Sequence, residues 1–421
     1  MNESTLLRPV AAGERIQAMD VLRGFALLGI LLMNIEAMAG PMMEGMSGTD
    51  QTLRGADYTV DALIYILVQG KFYTLFSLLF GMGFAVMMER ATRAGRPFTR
   101  LYLRRTLGLL VIGLGHALLL WSGDVLVSYA LMSIPLLLFF RGTPQSRLPK
   151  WGIALYSVPL VLMLALGGLG ELAKFVPEAA AEMQKSTDAQ AAQMAAWSDA
   201  QRAAYGSGSF LDATRQRASD FAQMIGFLVF FGWHVLGMFV LGAWFVRSGA
   251  IARPGEFPRL YARLRWIALP AGLAIMLGSF AVDPQMPHGP AGLRPMVAFA
   301  LHGLGSLLLC LGYLAWIVHG LNSEAARRPL AALAPAGRMA LTNYLLQSLV
   351  CTLVFYGYGL GMFERMPRAW QPVFVLALFA VQVALSHWWL ARHSHGPVER
   401  LWRAWTYGGR ARDAAPATGT A

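Results

Sequence analysis

The chain is a succession of apolar stretches, each near the roughly 20 residues that a helix needs to cross about 30 Å of hydrocarbon. They are approximately Val21–Ala39, Phe72–Met88, Thr106–Trp121, Val125–Phe140, Gly152–Ala173, Phe221–Val246, Trp266–Val282, Met296–His319, Met339–Tyr358 and Pro372–Ala391. A further apolar helix, Tyr58–Gln69, is too short to span and reads as interfacial or re-entrant, with Gly70-Lys71 as its break. Most separators are short, but Lys174–Asp220 is rich in Ala and Gln, with mixed charge. Propensity makes Ala179–Ala204 a helix, followed by a flexible Gly206-Ser207-Gly208-Ser209. This insertion is either a lid over an external site or inert, and the sequence favours inert because no convergent polar set is visible in it. The pattern divides the chain into a tail (1–20), an N-terminal membrane half (21–173), the insertion (174–220), a C-terminal membrane half (221–391) and a basic tail (392–421).

Composition agrees with the pattern. With 56% hydrophobic and 14% charged residues, the chain falls well short of the quarter or so of charged residues that a soluble surface needs. The fold class expected is therefore an all-α integral membrane protein of about ten transmembrane helices. Placing both termini in the cytoplasm makes the separators Arg90–Arg105, Arg141–Lys150, Arg247–Arg265, Arg327–Arg338 and Arg392–Arg412 cytoplasmic; with Arg8, Arg15 and Arg23 they carry 25 of the 35 basic residues. The net charge of +12 is thus topological, and nucleic acid is not an expected partner. Ala37-Met38-Ala39 resembles a leader cleavage site, but the region before it is long and carries Asp20, which favours an uncleaved first span. Cys310 and Cys351 lie inside apolar runs, which excludes a disulfide framework or a cysteine zinc cluster.

Ionisable groups within spanning helices cost at least about 2.5 kcal/mol on insertion scales, so each should face the bundle interior and be paired. Asp20 and Arg23, three apart on one helix face, can form an ion pair, and Asn34, fourteen residues after Asp20, returns to nearly that face. Glu36 lies at the outer end of the same span. Lys71-Phe72-Tyr73 leads into Gly81 and Gly83, whose small size permits close helix approach; no dinucleotide fingerprint is present. His116, in Gly113-Leu114-Gly115-His116, is the one histidine near mid-membrane depth in the first half and can take a proton, unlike Asn34. Asp124 at the following turn favours the start of the next span, which carries Tyr129. In the ninth span Arg338, Thr342, Asn343, Tyr344 and Gln347 make a polar stripe that lines either a cavity or a helix contact. His234, His302, His319 and His387 share no ligand spacing, so no metal is expected. Finally, Val398, Leu401, Trp402 and Trp405 fall on one face of a helix expected to lie along the headgroups with its arginines outward.

The string from Asp20-Val21-Leu22-Arg23-Gly24 to Met33-Asn34 resembles the opening helix of the YeiB-like family of bacterial inner-membrane proteins, a domain of unknown function numbered 418. Lys71-Phe72-Tyr73 through Gly83, Gly115-His116 with Gly123-Asp124, Gly337 through Tyr344, and Gly396-Pro397-Val398-Glu399-Arg400-Leu401-Trp402-Arg403 resemble that family's motifs in its order. The resemblance implies a multi-pass protein of the bacterial inner membrane, with Asp20, Gly24, Gly81, Gly83, Glu399 and Arg403 as structural positions. The opening motif is also similar to those of two membrane acyltransferase families, the acyltransferase 3 group and the heparan-α-glucosaminide acetyltransferase group, which move an acyl group from a donor such as acyl-CoA to an acceptor across the membrane. The residue fourteen after the motif Asp is a His in the first and an Asn in the second; here it is Asn34. The catalytic His of the second group lies in the first external loop, and Gly40–Asp57 here holds none. A base would then have to be His116, Glu36 or Glu44.

Two readings follow. As an acyltransferase, the protein would take acyl-CoA, or a similar donor, as co-substrate with no bound cofactor, and deliver the acyl group to a small-molecule, glycan or lipid acceptor. Asn34 would bind the carbonyl, and His116, oriented by Asp124 or Tyr129, would act as base. As a transporter, it would use the same residues to line a pathway for a small amphipathic solute, with proton coupling through His116. Arg23, Glu36, Lys71, Tyr73, Tyr129, Arg338, Asn343, Tyr344 and Gln347 are the expected substrate contacts. The missing first-loop His favours transport, and the absence of inverted repeats favours acyl transfer, which the family resemblance makes the preferred reading. An inactive scaffold and an oligomer both stay open.

Overall fold

A computed structural model describes residues 16–285 and 292–408. Arg8, Arg15, Arg410 and Arg412, which contribute to the charge pattern, lie outside the described residues. Eight helical stretches are long and apolar enough to cross a membrane: Gln17–Ala39, Gly55–Arg93, Phe98–Leu119, Gln145–Ala173, Leu228–Arg247, Pro258–Val282, Leu293–Leu321 and Arg368–Leu390. Two shorter apolar helices, Leu126–Phe140 and Ala340–Phe355, complete the ten expected. Among the described residues the one β-pairing is an isolated bridge between Gly48 and Gln285.

Helix α1 (Gln17–Ala39) is the axis, packed against α3 (Lys71–Arg93), α12 (Leu293–Leu321), α14 (Ala334–Arg338), α15 (Ala340–Phe355) and α16 (Gln371–Leu390). Close approach is set by small residues. A Cβ on Gly24 would strike the Leu333 carbonyl and one on Gly337 the Asp20 carbonyl, so α1 and α14 touch backbone to backbone. Gly81 does the same for α3 against Phe239 of α9 (Leu228–Arg247). Within the second stretch, α2 (Gly55–Leu67) stops and α3 restarts at Lys71 through Gly70, whose φ of 86° is open to glycine at little cost. The break expected at Gly70-Lys71 is thus present.

The insertion keeps one feature expected from its sequence and departs from two. Its helix α7 (Pro177–Gln201) matches the propensity reading, but Ser209, expected in a flexible linker, forms a capping box with Asp212 at the start of α8 (Phe210–Gly226). A convergent polar set is also present: Asp220 accepts hydrogen bonds from Trp197 Nε1 (2.6 Å), Gln201 Nε2 (2.8 Å), Tyr205 OH (2.5 Å) and Gln216 Nε2 (2.7 Å). Burial above all pushes the Tyr205 phenol well above its ordinary pKa, keeping it a donor. Beside it, the fully buried Arg217 donates to the carbonyls of Leu118 (3.3 Å) and Leu119 (2.8 Å), tying α8 to the end of α4 (Phe98–Leu119).

At the other end, α17 (Pro397–Tyr407) is helical as expected, but it is also tied to the bundle. The indoles of Trp402 and Trp405 donate to the carbonyls of Arg105 and Arg104, both at 2.9 Å, while Leu401 stays exposed. Its arginines were expected outward; Arg400 is, whereas Arg403 lines an interior cavity.

Candidate active site

Helix α4 carries His116 on its buried face one turn before it ends, where the amides of Leu120 and Trp121 both close on the His116 carbonyl at 2.9 Å. The chain then turns and starts α5 (Leu126–Pro135), capped by Asp124, whose Oδ1 accepts from the Val127 amide (2.7 Å). A Cβ on Gly113 would lie 2.8 Å from the Val127 nitrogen, so this glycine lets the turn fold back onto α4. The second oxygen, Oδ2, is therefore aimed at His116 Nδ1, 2.6 Å away. On the far side of the ring, His116 Nε2 is 2.8 Å from Ser348 Oγ of α15. Side-chain exposure is 0% for both His116 and Asp124, and Ser348 is equally enclosed. With Nδ1–H donated to the carboxylate, Nε2 is left as an acceptor for the Ser348 hydroxyl. Asp124, not Tyr129, thus orients the ring; the Tyr129 hydroxyl pairs with Ser77 Oγ at 2.9 Å.

A cavity of about 340 Å³ is lined at one end of the bundle by residues of both α1 and α17. On α3 its lining runs from Arg90 inward to Phe76, fourteen residues or about 21 Å of helix. Five guanidinium groups face it, from Arg23, Arg90, Arg105, Arg338 and Arg403, against the carboxylates of Asp20 and Glu399. Asp20 is paired with Arg23 at 2.9 Å, as their spacing implies. Glu399 accepts from the Leu341 and Thr342 amides (2.8 and 3.0 Å) and so caps α15. Arg105 lies over the Trp402 ring at 4.4 Å. Further in, the walls are apolar, with Ile30, Leu79, Phe80 and Leu109. The inner end is formed by Val125, Tyr129 and Tyr344. The Tyr344 ring also lies against His116, centroids 4.9 Å apart, and so separates the cavity from the histidine.

Of the expected substrate contacts, Arg23, Tyr129, Arg338 and Tyr344 line this cavity, as do Asp20, Gly83, Glu399 and Arg403. The others do not. Asn34 is buried one turn beyond Ile30 on α1. Lys71, wholly buried, donates to the carbonyls of Tyr65 and Gln69, both at 2.7 Å, and closes the end of α2. Tyr73 packs edge-on against Phe231. The ninth-span stripe splits: Asn343 donates to Ser386 (3.0 Å) and Gln347 to Gln382 (3.0 Å), joining α15 to α16, while Arg338 and Tyr344 face the cavity. Glu36 is paired with Arg368 at 2.7 Å, and Glu44 with Arg202 at 2.7 Å. Neither carboxylate approaches the cavity, which leaves His116 as the base candidate nearest to it. Among the described residues no three His, Cys, Asp or Glu side chains come together to hold a metal ion.

Sequence reasoning did not single out Ser348. Its only signal is its place four residues after Tyr344, one helical turn further along the same face.

The family described as "Protein of unknown function (DUF418)" matches residues 245–409. YxaH of Bacillus subtilis is 34% identical over 419 residues, covering 95% of this chain and 96% of the relative. YeiB of Escherichia coli is 32% identical over 404 residues, with 93% and 96% covered. A 39.9 kDa protein encoded in the amylase 3′ region of Bacillus acidopullulyticus is 26% identical over 409 residues. No solved structure matches the chain.

Proposed function

From the premise that this chain belongs to the DUF418 family, with YxaH and YeiB, we propose that it is a membrane acyltransferase that accepts acyl groups from a CoA-type thioester. The observation that carries the reading is the cavity, cationic at its mouth and apolar within, whose inner wall rests on a histidine already paired with a carboxylate. Phosphate groups match the guanidinium mouth, and an acyl chain matches the apolar walls. His116 takes the proton of the attacking group, and Asp124 holds its tautomer. In this reading the cavity mouth faces the cytoplasm of a bacterial inner membrane, which the arginine bias supports, and the acceptor, a small molecule, glycan or lipid, lies on the opposite side.

The test is equilibrium binding of octanoyl-CoA to the purified protein in detergent, wild type against Arg23→Ala. Saturable binding that weakens in the variant is the expected result; a folded wild type that binds no thioester overturns the reading.

One feature favours a second reading. The interrupted helix at Gly70, with Lys71 holding the carbonyls of Tyr65 and Gln69 at the end of α2, is a device used in transporters, and in this second reading the protein carries an amphipathic anion. Donor-independent flux of such a solute into liposomes would select transport.

A further inference from the structure

Beyond the base assigned above, we propose that Ser348 is a nucleophile and that the protein works through an acyl-serine intermediate; this rests on the acyltransferase reading. Ser348, His116 and Asp124 stand in one line, with 2.8 Å from Ser348 Oγ to His116 Nε2 and 2.6 Å from Nδ1 to Asp124 Oδ2. This is the donor–acceptor order of a serine triad, which is identified by geometry and not by chain position. The three residues come from α15, α4 and the turn before α5, so the arrangement is tertiary.

The hydroxyl's choice of partner is informative. A serine or threonine in a membrane helix ordinarily satisfies itself on the carbonyl one turn back, as Thr74 does on Gly70 (2.6 Å) and Ser77 on Tyr73 (2.8 Å). Ser348 instead meets a histidine 232 positions away in the chain, on a ring nitrogen that the carboxylate leaves free to accept. The carboxylate is in turn fixed by the Val127 amide, so each member is oriented by the next. Tyr344, one turn before Ser348 on α15, forms the wall between the triad and the cavity, and its ring must turn aside for a thioester carbonyl to reach Oγ.

The chemistry balances in two half-reactions. Ser348 Oγ attacks the thioester carbonyl carbon, forming a C–O bond while its proton passes to His116 Nε2. The C–S bond then breaks, and the CoA thiolate leaves with that proton. In the second half, an acceptor hydroxyl or amine attacks the acyl-serine, gives its proton to Nε2, and Ser348 Oγ recovers it as the ester bond breaks. No oxidant, metal or further co-reactant is needed.

The experiment incubates full-length wild type, Ser348→Ala and Ser348→Cys in detergent with radiolabelled octanoyl-CoA and no acceptor, followed by acid quenching and peptide mapping. Octanoyl-CoA binding is measured in parallel, and each variant is checked for wild-type elution on gel filtration. The expected result is label on residue 348 in wild type, stable to neutral hydroxylamine, and neutral-hydroxylamine-labile label at the same position in Ser348→Cys. Ser348→Ala should bind octanoyl-CoA and carry none. The switch from oxygen ester to thioester is a signature that a purely structural serine cannot give. Asp124→Asn should slow labelling on the order of 10⁴-fold. Thioester binding without label in either wild type or Ser348→Cys overturns the acyl-serine and leaves direct transfer standing. No binding by folded wild type overturns this proposal together with the donor reading beneath it.

Discussion

Two polar assemblies sit at opposite ends of α1 and treat charge differently. At the Arg23 end, five arginines and two carboxylates line one cavity, so the balance is cationic. At the Glu36 end, the buried Arg368 is enclosed by Glu36 (2.7 Å), Asp61 (2.9 Å) and Gln371 (2.6 Å). The neighbouring Asp220 hub is likewise saturated, with four strong donors. Both ends carry residues that a sequence reader flags as out of place in lipid. The difference is whether the charges balance one another in a closed cluster or line a cavity with one sign in excess, and the second condition marks a site.

The largest expected effect comes from the cavity side. Asp124→Asn should lower acyl transfer on the order of 10⁴-fold by releasing the His116 tautomer, measured with labelled octanoyl-CoA, while thioester binding stays near wild type. On the closed side, Arg368→Met leaves Asp61 and Glu36 without their cation and should cost about 3–5 kcal/mol, read as thermal unfolding in detergent, with donor affinity of the folded fraction unchanged. Asp220→Ala strands the donors of Trp197, Gln201 and Tyr205 and should cost about 3 kcal/mol, seen as faster proteolysis across α7 and α8. Arg23→Ala should weaken octanoyl-CoA by roughly tenfold, the order of one charge-assisted hydrogen bond, without moving the unfolding midpoint of the opposite end.

The smallest effect is a pH dependence. Burial raises the Glu399 carboxyl above its ordinary 4.5, against the opposing hydrogen bonds of Thr342. A carboxyl raised in the folded state contributes stability that is fully present below its unfolded pKa and lost as pH rises through the folded value. The stability advantage of wild type over Glu399→Gln should therefore shrink as pH is raised from about 4 to 7. An advantage that grows over that interval would show that the hydrogen bonds from Thr342 outweigh burial.

Hydrophobic length and arginine spacing made the ten helices and the break at Gly70 legible, because those follow from the thickness of a bilayer and the φ freedom of one residue. Asp20 with Arg23 was readable from their spacing alone, being local to one helix. His116 stood out by its chemistry, and Asp124 as its neighbour across a turn. Ser348 was not legible, since a single serine in an apolar helix is common and its partner lies 232 positions away. Lys71, Asn343 and Gln347 were flagged correctly as polar groups in lipid, but sequence does not tell a residue that faces a cavity from one that faces another helix. Here all three serve helix ends and helix contacts.

The cavity wall joins the two extremes of the membrane region, α1 and α17, through Arg23 on one side and Glu399, Trp402 and Arg403 on the other. During synthesis, α1 emerges from the ribosome hundreds of residues before α17. The pocket therefore closes only once α17 has been translated and has docked on α4 and α15. Removing α17 would leave Arg23 and Arg105 at an unroofed surface, so one wall of the pocket is supplied by an element made hundreds of residues after the wall it faces.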